Sequence, residues 1–270
     1  PPHRPAPMPN PPITFDDGER YERYMGVWSR LAGEAFLDWL APPLASRWLD
    51  VGCGNGAFTE LLMVRCAPAS TQGIDPSPQQ LAYARSQPAL AAAQFDQGDA
   101  MALPYGDDQF DVAVMPLVIF FVPTPARGVA EMARVVCPGG RVAAYAWDME
   151  GGGFPYQPLL AALRGMDIAV PAPPSPEASR LDRLTSLWSD AGLDAVETHA
   201  ITVERTYTDF DDYWRIAQGA PSVGAALAAM APTARDALQA RLRAALPAAT
   251  DGRLTCRARA NAVKGRVPLP

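Results

Sequence analysis

Short apolar runs alternate with amphipathic segments between residues 47 and 147. The runs predict five strands, at 47–51, 70–74, 93–97, 110–115 and 141–147. Segments with helical spacing separate them, at 57–65, from Pro78 to about Pro88 and at 125–136, where Pro138-Gly139-Gly140 closes the helix. The run at 110–115 is apolar on both faces, as expected of a central parallel strand. Strands that alternate with helices in this way predict an α/β, doubly wound parallel sheet.

The regular alternation of short strands and helices ends at Gly151-Gly152-Gly153. Helices are predicted at 158–168, 178–190, 209–218 and 223–246, and alternating strands at 195–206 and 254–263. Helices inserted above the carboxyl ends of parallel strands commonly build a ligand crevice. We therefore expect a single domain over residues 15–270 in which helices from 15–40, 154–192 and 208–248 form a cap over a small organic substrate.

The segment 1–14 differs from the rest of the chain, since residues 1–12 alone contain seven prolines and no apolar period. Such a composition predicts a disordered tail.

Three glycines at alternate positions, Gly52, Gly54 and Gly56, follow the first apolar run, which ends around Asp50. Glycine lacks a Cβ, so a turn built from it adopts backbone angles that other residues resist, and a ligand can lie against its main chain. The helix that follows directs free N–H groups and the positive end of its dipole toward that ligand. The segment therefore predicts a loop that binds a nucleotide-type cofactor.

Composition and charge exclude several other classes. The chain is 49% hydrophobic and 19% charged with a net charge of −6. These values are typical of a globular protein and give no general attraction to nucleic acid or anionic membranes. No apolar run approaches the roughly 20 residues of a transmembrane helix. The four cysteines have no metal-ligand spacing, and without a secretory signal they indicate reduced thiols in the cytoplasm. The histidines, His3 and His199, are too few for a zinc or iron site to be expected.

Five motifs occur in a fixed order along residues 45–148: Leu49-Asp50-Val51-Gly52-Cys53-Gly54-Asn55-Gly56, Ile74-Asp75-Pro76-Ser77, Gly98-Asp99-Ala100 with Leu103-Pro104, Phe110-Asp111-Val112-Ala113-Val114, and the segment 131–140 that ends in Pro-Gly-Gly. In this ordered set the chain resembles the class I S-adenosylmethionine-dependent methyltransferases of the small-molecule, type 11 kind. The resemblance implies a Rossmann-like seven-stranded sheet in the order 3-2-1-4-5-7-6 with strand 7 antiparallel. It makes 195–206 strand 6 and 254–263 strand 7.

The resemblance also implies a cofactor and a reaction. S-adenosylmethionine would bind, leave as S-adenosylhomocysteine and donate its methyl group by direct displacement to O, N or C of a small metabolite. Asp75 would accept the ribose hydroxyls, Asp99 the adenine amino group, and Pro76, Met101 and Leu117 would enclose the ring. The predicted cofactor-binding residues are Tyr24, Trp28, Asp50, Gly52, Cys53, Gly54, Asn55, Gly56, Asp75, Pro76, Ser77, Gly98, Asp99, Ala100, Met101, Met115, Pro116 and Leu117.

No catalytic side chain is predicted. Methyl transfer requires an in-line nucleophile and exclusion of water more than a strong base. Many proteins of this fold carry a polar residue after strand 4, where this chain has the apolar segment 115–121. That departure indicates an apolar wall and hence an apolar or aromatic substrate. Trp188, Tyr207, Tyr213 and Trp214 are further candidates for the wall, with packing in the core as the competing interpretation.

Three other features have competing interpretations. Tyr21, Tyr24 and Trp28 share one helical face, which packs on the sheet or, by resemblance, forms a lid over the methionine end of the cofactor. Cys53 is interpreted as a small side chain that fits a crowded turn, against the alternative of a reactive thiol. His199 is interpreted as a surface or hydrogen-bonded residue of a strand, against the alternative of a base.

Two alternative functions stay open. Gly52, Gly54 and Ala57 also satisfy the glycine spacing of nicotinamide dehydrogenases, and Asp75 fits their ribose acid. Gly56, the Asp99 loop and an antiparallel last strand do not belong to that pattern. The apolar segment after strand 4 also allows a protein that binds the sulfonium cofactor without methylating. Basic residues between 235 and 266 suggest nucleic-acid binding only weakly, because no aromatic residues are interleaved with them.

Overall fold

The computed structural model describes residues 22–219 and 221–270. The predicted tail at 1–14, Tyr21 and the first part of the helix predicted at 15–40 lie outside the described residues. A π-helical turn at Glu22–Gly26 leads into the first α-helix.

The described residues contain seven strands and nine α-helices. The strands are β1 (Arg47–Val51), β2 (Ser70–Asp75), β3 (Gln94–Gln97), β4 (Phe110–Pro116), β5 (Val136–Trp147), β6 (Asp194–Tyr207) and β7 (Leu254–Arg266). The helices are α1 (Val27–Leu40), α2 (Ala57–Cys66), α3 (Pro78–Ser86), α4 (Pro125–Val135), α5 (Gln157–Arg164), α6 (Leu181–Asp190), α7 (Phe210–Ala217), α8 (Pro221–Ala229) and α9 (Pro232–Ala245). Every strand predicted from the sequence is present, with ends that differ by a few residues.

The seven strands form one sheet in the order β3-β2-β1-β4-β5-β7-β6. The first five strands are parallel, and β7 runs antiparallel to both of its neighbours. The last strand of the chain is therefore internal to the sheet: Ala144 of β5 pairs with Val263, which in turn pairs with Thr198 of β6. The predicted α/β sheet, its strand order and its antiparallel strand are confirmed.

Two predicted boundaries are wrong. The Pro138-Gly139-Gly140 segment lies inside β5 rather than in a turn before it, because Gly139 N–H donates to the Val267 carbonyl and Val267 N–H donates to the Gly140 carbonyl. The helix predicted at 223–246 is two helices, since Pro232 has no backbone N–H to donate and instead begins α9.

Helices α1 and α6 lie on opposite faces of the sheet. Lys264 of β7 contacts the ring of Trp39 in α1, whereas a Cβ on its neighbour Gly265 would meet Trp188 of α6. Successive residues of a strand point to opposite faces, so these contacts fix the two layers. Trp188 Nε1 donates to the Val142 carbonyl of β5 at 2.9 Å. Thus α1 and α6, which were both predicted within the cap, are layer helices on the two faces of the sheet.

The central strands β1 and β4 and the second half of β5, from Val142 to Trp147, are almost fully buried, and they hold the carboxyl-edge loops in place. Within 22–219 and 221–270, the structure contains no helix with the length and apolar character that crossing a membrane requires.

Candidate cofactor and substrate site

Loops that follow β1, β2, β3 and β4 meet at the carboxyl edge of the sheet. Gly54 N–H donates to Asp75 Oδ2 at 2.9 Å, which joins the first loop to the second. Gly98 N–H donates to the Asp75 carbonyl at 3.1 Å, which joins the loop after β3 to the end of β2. A Cβ on Gly52 would lie 2.5 Å from a methyl of Val118, so the loop after β4 packs against the glycine turn. The structure thus brings together most of the predicted cofactor residues.

Hydrogen bonds to β2 hold the first residues of the glycine turn, and the space beside Gly54 is open. Gly52 and Cys53 both donate their N–H groups to the Ile74 carbonyl, at 2.7 and 3.1 Å. Gly54 has φ +52°, and a Cβ placed there would find no atom within 4 Å. Such a positive backbone angle favours glycine. The main chain at Gly54 therefore borders an open cradle, as a bound cofactor requires.

Other residues of the turn stabilise it rather than line it. Asn55 accepts from Ala57 N–H at 3.2 Å, and Gly56 N–H donates to the Cys53 carbonyl at 2.9 Å. The Cys53 thiol is buried in a small apolar cluster with Leu90 and Phe95, and its burial raises its pKa. This environment supports the interpretation of Cys53 as a packing residue.

Asp75 presents a carboxylate at the end of β2. Its Oδ1 accepts from Ser77 N–H at 2.8 Å, while Ser77 also caps α3 through Gln80 N–H. Only 9% of Asp75 is exposed, and this burial raises its pKa although the two N–H donors, on Gly54 and Ser77, oppose the shift. A carboxylate oxygen accepts more than one hydrogen bond, so both oxygens keep acceptor capacity for ribose hydroxyls.

Asp50 lies beneath the glycine turn with no exposed surface. Thr59 Oγ1 donates to its Oδ2 at 2.7 Å, and its Oδ1 has no partner among the described residues. Burial, with a smaller contribution from the charge of Asp75, raises the pKa of Asp50 to about 7 against the opposing effect of Thr59. An unpaired buried acceptor beside the open cradle fits a positively charged or N–H-bearing group of the cofactor.

The predicted adenine loop at 98–104 is braced from α4. Asp99 Oδ1 accepts from Met101 N–H at 2.8 Å, and Glu131 Oε2 accepts from Leu103 N–H at 2.8 Å. Arg134 bonds Glu131 and donates to the carbonyl groups of Leu103 and Tyr105. Pairing with this guanidinium holds the pKa of Glu131 below its usual range. These contacts explain why the motif segment at 131–140 accompanies the loop.

The remaining predicted cofactor residues differ in exposure. Pro76 and Asp99 are exposed, and Ala100 and Met101 are partly exposed beside the cleft. Met115 and Pro116 are buried at the end of β4, with the Met115 side chain near Gly128 of α4. The residues of the loops are thus placed to contact a cofactor. Met115 is not, because its side chain faces the protein interior.

A cavity of about 520 Å³ lies beyond the end of β4 and β5. Its lining is mainly apolar and includes five aromatic side chains, Tyr24, Phe120, Phe121, Trp147 and Phe154. Leu117, predicted to contact the adenine ring, also lines this cavity. The apolar segment after β4 therefore forms part of a cavity wall beside the predicted cofactor loops.

Four aromatic residues proposed for that wall are instead packed elsewhere: Trp188, Tyr207, Tyr213 and Trp214 are buried and do not line the cavity. The competing interpretation of core packing is correct for them. Trp28 is likewise fully buried, and its Nε1 donates to Tyr207 Oη at 3.2 Å. The structure thus gives Trp28 a packing role and leaves Tyr24 as the lid candidate, because of these two residues Tyr24 alone reaches the cavity.

An aromatic cluster, formed by Tyr24, Trp28, Tyr156, Tyr207 and Tyr213, joins the π-helical turn, α1 and α7 to β6. Tyr156 stacks on Tyr24 with ring centroids 4.2 Å apart and donates to the Tyr24 carbonyl at 2.8 Å. The hydroxyls of Tyr156 and Tyr207 are 3.4 Å apart, and Tyr213 meets Tyr207 edge to face. The π-helical turn that carries Tyr24 is therefore held between α5 and β6.

Sequence reasoning missed Trp147, Met149 and Phe154 as wall residues. Trp147 ends β5, and Met149 and Phe154 follow it. The only signal available was that the carboxyl end of a central parallel strand points toward the ligand side of such a sheet. His199 is exposed on β6 and stacks on Trp39 with centroids 5.6 Å apart, in agreement with a surface role. Among the described residues, no group of three or more His, Cys, Asp or Glu side chains is arranged to hold a metal.

Residues 49–144 match the family model described as a methyltransferase domain. The ubiquinone/menaquinone biosynthesis C-methyltransferase UbiE of Roseobacter denitrificans is 34% identical over 152 residues, which cover 48% of this chain and 60% of that protein. The 2-methyl-6-phytyl-1,4-hydroquinone methyltransferase 2 of Oryza sativa is 39% identical over 94 residues, which cover 35% of this chain and 27% of that protein. The chain thus spans at most about 60% of the length of these relatives.

Solved structures share the fold across nearly the whole chain. The YcgJ protein of Bacillus subtilis has a TM-score of 0.60 at 19% identity and covers 88% of this chain and 99% of its own. The phosphoethanolamine N-methyltransferase 2 of Haemonchus contortus, solved with S-adenosylhomocysteine and phosphomonomethylethanolamine, has a TM-score of 0.59 at 18% identity, with 93% of this chain and 57% of that chain covered. The family match over residues 49–144, the strand order and the glycine turn joined to Asp75 all agree with the resemblance of this chain to the class I S-adenosylmethionine-dependent methyltransferases.

Proposed function

We propose that the protein transfers a methyl group from S-adenosylmethionine to a small apolar or aromatic molecule held in the 520 Å³ cavity. The observation that carries the proposal is the open cradle at Gly54, whose N–H donates to the carboxylate of Asp75. Val118 packs against Gly52 of the glycine turn, and its neighbour Leu117 lines the cavity, so the loop after β4 lies beside both. A cofactor and a substrate bound in these two spaces would meet near the end of β4.

Each loop has a proposed part in binding the cofactor. The turn at Gly52–Gly56 receives the methionine end, with Asp50 Oδ1 as acceptor for its ammonium group. Asp75 accepts the ribose hydroxyls, Asp99 accepts from the adenine amino group, and Pro76, Met101 and Leu117 enclose the ring. When bound, the cofactor supplies a methyl group activated by a sulfonium.

The cavity residues would position the acceptor and exclude water. Direct displacement depends on close approach in a dry site, which the apolar lining provides. Aromatic faces also attract positive charge, so Tyr24, Phe120, Phe121, Trp147 and Phe154 suit a site beside a sulfonium. The segment Met115–Phe121 offers no ionisable side chain, so no general base is assigned.

The substrate class rests on the cavity and on the relatives of this chain. The names of the Roseobacter and Oryza relatives concern ubiquinone, menaquinone and a hydroquinone, which are ring compounds. The cavity of about 520 Å³ is lined by aromatic and aliphatic groups. Its size is within the usual range for a small-molecule site. The proposed acceptor atom is an O, N or C of that molecule. A cytoplasmic location and the lack of a nucleic-acid or membrane partner stay predictions.

Calorimetric titration with S-adenosylmethionine, S-adenosylhomocysteine, NAD and NADP tests the proposal. We expect the sulfonium compound and its product to bind and both nicotinamide dinucleotides to fail. Binding of NAD or NADP alone would instead establish the dehydrogenase alternative. A search for S-adenosylhomocysteine production with ring-containing acceptors then separates a methyltransferase from a protein that binds the cofactor without methylating.

A further inference from the structure

One face of α5 lines the cavity and changes from apolar to charged along its length. Gln157, Leu160 and Arg164 all line the cavity. They are spaced at i, i+3 and i+7, which places them on one side of the helix. Gln157 and Leu160 are partly buried, whereas Arg164 is exposed. Because Arg164 both lines the cavity and reaches solvent, it marks the opening of an otherwise apolar space.

The Arg164 guanidinium has no hydrogen-bond or ion-pair partner in residues 22–219 and 221–270. An arginine in the last turn of a helix often serves the exposed carbonyls and the dipole there. At the end of α5 that role is already filled, because Arg241 Nη1 donates to the Gly165 carbonyl at 2.8 Å. Arg164 is therefore not required to cap its helix.

The other charged side chain of the lining is already paired. Glu150, in the turn after β5, lies 3.7 Å from the guanidinium of Arg180, which also bonds Asp182. Tyr24, the remaining titratable side chain of the lining, is buried in the aromatic cluster. Of the two charged side chains in the lining, Arg164 is therefore the one without a hydrogen-bond or ion-pair partner in the described residues.

We propose that the substrate carries an anionic group, such as a carboxylate, on its apolar body, and that Arg164 binds this group at the cavity opening. The inference rests on the proposed function in placing the substrate in this cavity. A guanidinium presents paired N–H donors that match the two oxygens of a carboxylate or phosphate. The apolar body then fills the aromatic part of the cavity, and the anionic end fixes which part of the molecule faces the cofactor loops.

Three probes with one ring system but different end groups test this inference: 2-naphthoate, 2-naphthylmethanol and 2-naphthylmethylammonium. Their dissociation constants are measured by calorimetry at low salt with saturating S-adenosylhomocysteine, for the unaltered protein, Arg164→Gln and Arg183→Gln. Arg183 is an exposed arginine of α6 outside the cavity lining, so it controls for loss of one positive charge. S-adenosylhomocysteine affinity is measured separately for each protein.

We expect naphthoate to bind about tenfold more tightly than the alcohol, and the ammonium compound most weakly, because one charge-assisted contact is gained or opposed. Arg164→Gln should bring the naphthoate and alcohol affinities to within about twofold, and Arg183→Gln should leave their ratio unchanged. Added salt should reduce the naphthoate advantage, since Arg164 is exposed.

An unchanged ratio in Arg164→Gln, a preference for the ammonium compound, or failure of all three probes to bind would overturn the inference. Failure of S-adenosylhomocysteine to bind, with the Arg164-dependent preference intact in its absence, would refute the proposed function but not anion recognition. Normal S-adenosylhomocysteine binding without that preference would refute only the inference.

Discussion

The carboxylates of Asp50 and Asp75 both lie near the glycine turn. Their surroundings differ, so they differ in their effects on binding and stability. Asp75 accepts N–H groups from two loops and keeps some exposure, whereas Asp50 is fully buried with one oxygen unpaired among the described residues. Asp75 thus holds the loops in position and faces the cleft. Asp50 carries a desolvation cost that a ligand or a proton can relieve.

Replacing Asp75 with alanine should weaken binding of S-adenosylhomocysteine by about 1–3 kcal/mol, because ribose hydroxyls and the Gly54 and Ser77 N–H groups lose their acceptor. Calorimetric titration measures the change. Asp236→Ala, at an exposed position of α9, is the matched control and should bind normally. Unchanged affinity in Asp75→Ala would remove Asp75 from the cofactor site.

Asp50 should make stability fall as pH rises. Its folded-state pKa is raised to about 7 from the ordinary value of 3.8, so between these values the folded state holds the proton more tightly than the unfolded state. Stability from this source is complete below about pH 4 and is lost as pH rises through about 7. Asp50→Asn, which cannot ionise, should therefore gain about 2–4 kcal/mol relative to the unaltered protein as pH rises from about 5 to about 8.

Urea unfolding at about pH 5 and about pH 8 measures this difference. Thr59 still finds an acceptor in the asparagine side chain, so its hydrogen bond is preserved in the variant. Parallel pH profiles for the two proteins would show that Asp50 stays ionised in the fold.

At the scale of elements, α1 is joined to β6 by a hydrogen bond to a tyrosine hydroxyl as well as by apolar packing. Trp28 of α1 donates to Tyr207 of β6, while Tyr213 of α7 packs beside them with a buried hydroxyl that has no partner among the described residues. The two tyrosines are both buried and differ in whether the hydroxyl is used. Replacing each of them by phenylalanine therefore measures what the Trp28–Tyr207 hydrogen bond contributes to stability.

Tyr207→Phe should destabilise the protein by about 1–3 kcal/mol, because the Trp28 N–H is left buried without an acceptor. Tyr213→Phe should be neutral or stabilising, since it removes a buried hydroxyl that makes no hydrogen bond within the described part of the chain. Chemical denaturation of both variants provides the test. Equal losses would mean that the Trp28–Tyr207 bond contributes nothing specific.

At the scale of the molecule, the fold is closed by its last strand. β7 lies between β5 and β6, with register pairs along nearly its full length on the β6 side and along its second half on the β5 side. Without it, β6 would have no partner strand among the described residues, and β5 would expose an edge that is covered in the intact sheet.

Removal of residues 254–270 should therefore abolish the native fold, visible as loss of a cooperative thermal transition. Removal of 268–270 alone should be tolerated, because the last backbone hydrogen bonds to β5 are made by Val267 with Gly139 and Gly140. A truncated chain lacking β7 that still melts cooperatively and binds S-adenosylhomocysteine would contradict this account of the sheet.

The sequence by itself determined the strands and the glycine turn. Strand positions follow from short apolar runs, and the turn follows from alternate glycines and an acid at the end of the next strand, all of which are local features. The ordered motifs also implied the 3-2-1-4-5-7-6 sheet, which the structure confirms. The apolar segment after β4 correctly pointed to a cavity wall, because Leu117, Phe120 and Phe121 line it.

Only the tertiary structure decided which aromatic residues form the cavity and which form the core. Trp147 and Trp188 are both buried aromatic residues, yet Trp147 lines the cavity and Trp188 bonds to β5 from a helix layered on the sheet. The two side chains are alike in hydrophobicity. They differ in location because each reaches a different face of the sheet and a different end of its strands. The same reason hid Arg164, which lines the cavity from α5. An arginine without a partner gains significance only when long-range packing sets it at the opening of a cavity.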